Sequence, residues 1–203
     1  MFGIFPEDKP VDVEGELVLP ASIVIDDFSE IINIPLSYWN INDYKKSWLS
    51  SLESGLASKK HATLVVSMYE PDHTNFIFTW VLYFHGNRVF VQNEILFLDE
   101  HPDFTVDKIN DFMEPRVTHN EDGMKISEWC TDLKSVLDFI NSLNDQKSSG
   151  RLAGIRLESL LPAHFHRLIS RVTHRPRNFP NPLCTSNLFI QVILRLSRPF
   201  HSQ

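Results

Sequence analysis

The chain predicts an α+β fold, a central antiparallel β-sheet flanked by helices and followed by an atypical basic C-terminal tail. Three observations carry this. Two segments with helical apolar spacing are separated by runs of strand type rather than alternating with them. The strongest strand signals fall either side of a tight turn, which makes their pairing antiparallel. After residue 148 the composition changes: Ser149–Gln203 holds eight Arg, no Lys and one acid, Glu158, for a net charge of +7. Residues 1–148 carry −14, which leaves −7 overall.

In chain order, Glu16–Leu19 and Ser22–Ile25 read as two short strands broken by Pro20, and Asp26–Glu30 as a turn leading into a Pro35 loop. A helix follows over about Ile41–Ala57. Its apolar positions Ile41, Tyr44, Trp48, Leu52 and Leu56 step by three or four, Asn40 or Asn42 offers an N-cap, and Gly55 weakens or ends the last turn. His61–Tyr69 is rich in β-branched residues. Asn75–His85 and Arg88–Phe97 flank a Gly86-Asn87 turn and read as a hairpin at the centre of the sheet, because both faces are apolar. Asp99–Arg116 is turn-rich, with a short helix near Val106–Met113, and His119–Gly123 is a loop. A second helix is expected from Thr131 to Leu143 on a stripe of Leu133, Val136, Leu137 and Ile140, with Thr131-Asp132 at its start and a polar linker from Asn144 to Gly150. The domain so defined is 1–147. The remainder, 148–203, reads as an Arg-rich, Pro-containing, poorly ordered tail with a short helix at Ala163–Val172 and an apolar run at Leu188–Leu196.

Several function classes lose ground on the same residues. No apolar run approaches the roughly 18 residues of a membrane helix, and the N-terminus lacks the basic flank of a secretory signal. Two cysteines make neither a disulfide framework nor a four-thiolate zinc site, so the expected compartment is the reducing cytoplasm. Seven glycines and no Gly-rich loop disfavour a nucleotide-binding enzyme. His164-x-His166 with His174 and Cys184 is too loosely spaced to read as a metal site, and no cofactor is expected. Cys130 beside Trp129 reads as buried filler rather than an activated thiol. Trp39, Tyr44, Trp48, Phe76, Phe78, Trp80 and Phe84 lack interleaved Lys or Arg, so they read as core and not as a base-stacking platform. The acidic body repels phosphates and suits a basic protein partner, or solubility alone.

Several segments together resemble the immunity proteins of bacterial contact-dependent growth inhibition systems: Met1–Phe5, Asp26–Glu30, Pro35-Leu36-Ser37-Tyr38-Trp39 followed by Asp43–Trp48, and Ile126-Ser127-Glu128-Trp129 before the closing helix. The resemblance covers about residues 1–145. It implies a cytoplasmic binding protein, not an enzyme, that neutralises the C-terminal toxin domain delivered by a neighbouring cell. It further implies a basic nuclease as partner, inhibited by acidic loops that fill its cleft or by binding beside the active site and blocking a co-factor protein. An acidic adaptor without a toxin partner is the alternative. The expected toxin contacts are Glu70, Asp72, Asp99, Glu100 and Asp103, at the ends of the central strands.

Overall fold

A computed structural model describes residues 1–70 and 74–152. The strands are β1 (Phe2–Pro6), β2 (Val11–Val13), β3 (Glu16–Ile25), β4 (Phe28–Pro35), β5 (His61–Val65), β6 (Phe76–His85), β7 (Arg88–Phe97) and β8 (Trp129–Asp132). The α-helices are α1 (Ile41–Ser58) and α2 (Leu133–Leu152), with 3-10 segments at Leu98–Glu100 and Val106–Phe112. The α+β class with antiparallel strands holds, and the strands divide over two sheets. In the first, β3 pairs with β4 on one side and with β1 and β2 on the other; the second runs β5-β6-β7-β8.

Pro20 does not break β3 in two. β1 pairs with Ala21–Ile25 and β2 with Glu16–Val18, so Pro20 faces the gap between these two partners. Its carbonyl accepts from Glu7 N at 2.8 Å. The N–H it lacks would have pointed the same way, to a place where no ladder bond is required. The expected Pro35 loop is instead the strand β4. Asp26-Asp27 is a two-residue hairpin turn with Asp26 at φ 51°, and Phe28–Pro35 returns along β3 in register from Ile25↔Phe28 to Val18↔Pro35. The β-branched Ile31, Ile32 and Ile34 pair with Ser22, Ala21 and Leu19, a strand signal that the loop reading around Pro35 overlooked. The β6–β7 hairpin matches expectation, with Gly86 at φ +62° supplying the left-handed turn residue.

Asn40 caps α1. Its Oδ1 accepts from the N–H of Asn42 and Asp43, while the Asp43 carboxylate accepts from Asn40 N, a complete capping box. Tyr44, Trp48 and Leu52 are fully buried, as the spacing requires. Gly55 does not end the helix. It is buried one turn before the end, where a Cβ would overlap the His61 carbonyl and lie 2.8 Å from Ala62 Cβ, so the missing side chain lets β5 pass close to α1. Lys59, in the left-handed conformation, ends the helix. β5 stops at Val65, short of the expected Tyr69, although Val66, Ser67 and Met68 stay buried. Ser67 Oγ accepts from Phe78 N at 2.8 Å, so a side chain replaces the ladder there.

β8 was not expected from the sequence. Only four residues pair with β7, too few for alternation to register. Thr131 therefore belongs to a strand, and Asp132 alone caps α2, accepting from Ser135 N at 2.7 Å. That bond holds the Asp132 carboxyl below its ordinary value. The buried stripe of α2 is Val136, Phe139, Ile140 and Leu143, and Leu137 is exposed. α2 also continues through the segment expected as a polar linker, since the weak local preferences of Asn144–Gly150 do not override a helix already nucleated. The readings placed at Ala163–Val172 and Leu188–Leu196, and the order of the tail, lie outside the described residues. Both sheets, α1 and α2 contribute to one hydrophobic core.

Candidate functional site

Two segments are held together by one buried hydroxyl. Tyr44 OH donates to Pro35 O at 2.9 Å and accepts from Met68 N at 2.8 Å. Burial keeps this phenol protonated by pushing its pKa well above the ordinary value. One turn on, Trp48 Nε1 donates to Val65 O at 2.6 Å. α1 thereby anchors the end of β4 and the continuation of β5, so that Ser37-Tyr38 and Tyr69-Glu70 emerge beside each other.

They form the walls of a groove of about 480 Å³ lined, among the described residues, by Ser37, Tyr38, Tyr69, Glu70, Thr74, Phe76 and Phe78. Phe76 and Phe78 project from the same face of β6 as Trp80. Trp80 is covered by Phe28 and Trp129, with ring centroids at 6.3 and 5.3 Å. Phe76 and Phe78 are only half-buried, and pack edge-to-face on each other at 5.5 Å. They were expected in the core; alternation shows which face a residue takes but not where the opposing layer stops. Tyr69 OH donates to Glu16 Oε2 at 3.2 Å, which adds a second carboxylate beside the groove. Burial, then the Glu16 charge, raises the Tyr69 pKa.

The expected contact acids gather in part. Val66 N donates to Phe78 O, so the chain running on to Glu70 follows β6 towards its start. Leu98 N donates to Asn75 O at 2.6 Å, which puts Asp99 and Glu100 at that same end of the sheet. Asp103 follows on a segment that packs through His101 and Phe104 against Phe112, with ring centroids at 5.4 and 5.3 Å. Glu70, Asp99, Glu100 and Asp103 are exposed, and none has a hydrogen-bond or ion-pair partner among the described residues. Asp72 lies outside the described residues. Sequence reading missed Glu16, Tyr38 and Tyr69 as neighbours of this site. Tyr38 was legible only as part of the Pro35–Trp39 motif.

Other candidates take structural roles. His61 Nε2 lies 2.6 Å from Asn110 O, and Asn110 Oδ1 accepts from Ser51 Oγ and Thr63 N, so this polar group ties α1, β5 and the second 3-10 segment together. Arg116 makes a two-pronged ion pair with Glu128, 2.7 Å at each prong, and stacks 3.9 Å over Phe90, closing the irregular segment before β8 onto β7. Cys130, expected to be buried, is exposed: on β8 it faces away from the side on which Trp129 packs. No helix among the described residues is long and apolar enough to cross a membrane.

Comparison with known proteins agrees with this architecture. The family model described as the CdiI N-terminal domain matches residues 34–139. A curated immunity protein CdiI from Enterobacter cloacae subsp. cloacae is 61% identical over 145 residues, spanning 71% of this chain and all of that protein. A solved chain from the CdiA-CT/CdiI toxin and immunity complex of Enterobacter cloacae aligns with a TM-score of 0.69 at 61% identity, over 71% of this chain and 99% of that one. The chain belongs to the CdiI family of immunity proteins of contact-dependent growth inhibition.

Proposed function

We propose that this chain is a cytoplasmic, non-catalytic immunity protein that binds the C-terminal toxin domain of its own contact-dependent growth inhibition system. In this reading the toxin is a nuclease with a basic cleft, and the acidic end of the second sheet occludes it. Residues 1–147 carry the binding function, and 148–203 is an appended tail. The observation that carries the proposal is the gathering of Glu70, Asp99 and Glu100, exposed and without partners among the described residues, at one end of a sheet in a chain 61% identical to an immunity protein. Phosphate-binding clefts are basic, so such a surface speeds encounter and rejects partners of the wrong sign. Asp72 and Asp103 are assigned to the same contact set.

The test is co-expression of the full chain with the toxin domain encoded beside it, scored by growth, co-purification and hydrolysis of nucleic acid by the purified toxin. Rescue, a stable complex and suppressed hydrolysis are expected. A soluble chain that neither rescues growth nor co-purifies would overturn the proposal. A complex that still admits the nucleic acid would overturn the occlusion mechanism alone.

A further inference from the structure

We propose that the groove between Tyr38 and Glu70 seats an arginine side chain of the toxin and is the anchor of the complex. This rests on the immunity reading above and adds to it the chemistry of one contact.

The lining determines the occupant. The apolar part is aromatic: Tyr38, Tyr69, Phe76 and Phe78. Beside it stand two carboxylates. Glu70 lies in the lining without a partner among the described residues, and Glu16 is held by the Tyr69 hydroxyl. A neutral or purely apolar insert would strip water from these carboxylates without compensating their charge. A cation removes that penalty, and ring faces attract it. Between the two cationic side chains, a guanidinium is planar. It stacks on a ring while its edge donates a two-pronged pair of bonds to a carboxylate, and its aliphatic stem covers the half-exposed Phe76 and Phe78. Ser37 and Thr74 add polar atoms at the margin. The −14 charge of residues 1–148 favours the same occupant at long range. Nuclease clefts are rich in arginine because they bind phosphate, so an arginine captured here is withdrawn from the toxin's own nucleic-acid contacts.

The full chain is titrated against its cognate toxin domain, with dissociation rates recorded. Glu70→Gln and Tyr38→Ser are the test variants, since both residues are exposed and make no contact on which the core depends. Each is expected to leave thermal unfolding unchanged and to weaken binding by about tenfold or more, mainly through faster dissociation. Arg→Ala substitutions across the toxin should reveal one arginine whose loss weakens wild-type binding to a similar extent and adds little in the Glu70→Gln background. Wild-type binding with both groove variants within about twofold of it would overturn the anchor and leave the immunity reading standing. So would losses at every toxin arginine that stay additive with Glu70→Gln, because the carboxylate would then act only through long-range attraction. Failure of the wild-type chain to bind the toxin would overturn both.

Discussion

Replacing Gly55 by Ala separates two effects of opposite sign. In an exposed helix interior the change stabilises by about 1 kcal/mol, because alanine loses less backbone freedom on folding. Here the new Cβ lies 2.8 Å from Ala62 Cβ and overlaps the His61 carbonyl. Ordinary carbon contacts lie at about 3.5–4.0 Å, so the helix and strand must part by roughly 1 Å. The obstacle is largely backbone of β5, which is tied to β6 along His61↔Tyr83 to Val65↔Thr79, so no side-chain rotamer relieves it. Overpacking of this kind costs about 1–3 kcal/mol, and a backbone obstacle places it at the upper end. The expected net effect of Gly55→Ala is destabilisation by about 1–2 kcal/mol, the overlap less the propensity gain. Urea unfolding followed by tryptophan fluorescence measures it, with Trp48 fully buried on the perturbed helix. Ser54→Ala, on the exposed side of the same turn, is the control, and stabilisation by a few tenths of a kcal/mol is expected there. If Gly55→Ala stabilises the protein as the control does, the close approach of α1 and β5 is wrong.

Tyr44→Phe removes the hydroxyl that joins Pro35 O to Met68 N. It leaves both groups buried without that partner, at a cost of about 1–3 kcal/mol in chemical denaturation. Because that hydroxyl fixes both walls of the groove, toxin affinity should fall as well; stability loss with unchanged affinity would uncouple the groove from binding. Glu30 sits on the same side of β4 as Phe28 and Ile32, which pack against the core, and burial raises its carboxyl pKa above 4.5. A carboxyl with a raised folded pKa binds its proton more tightly when folded, so it costs stability as pH rises past the unfolded value. Glu30→Gln is expected to be more stable than wild type at pH 8, with the difference fading through the raised pKa and gone below 4.5; a difference independent of pH would contradict this. Asp99→Lys with Glu100→Lys should slow association with the toxin by about tenfold at low salt and much less at high salt, measured by surface plasmon resonance. An unchanged on-rate would remove both residues from the encounter surface.

The helix α1 and the β6–β7 hairpin were legible in the sequence because their signals are local. Capping groups lie within three residues of the helix start, apolar side chains repeat on one face, and a glycine turn joins two β-rich runs. β8 was not legible because its ladder depends on a partner elsewhere in the chain, and β4 was missed because the Asp26-Asp27 turn before it lacks the glycine that marks the β6–β7 hairpin. Phe28–Pro35 is a strand because β3 pairs with it, and Trp129–Asp132 because β7 offers an edge. Gly55 shows the same limit: its local preference says helix weakness, whereas its position says close packing.

By itself the sequence determined the α+β class, the charge split between an acidic body and a basic tail, the family resemblance, and the placing of acids at strand ends. These are properties of composition, short-range periodicity and linear motifs, and they need no knowledge of distant contacts. Only the tertiary structure decided which acids share a surface and what stands beside them. Glu70 and the pair Asp99-Glu100 are nearly 30 residues apart, and meet because β6 returns antiparallel between β5 and β7. Tyr38 lines the groove from the connection after the other sheet, and Glu16 of that sheet accepts from the Tyr69 hydroxyl in its wall. Phe76 and Phe78 remain half-exposed because the layer that covers Trp80 does not extend over them, and where a covering layer ends is set by packing between elements, which no local pattern encodes.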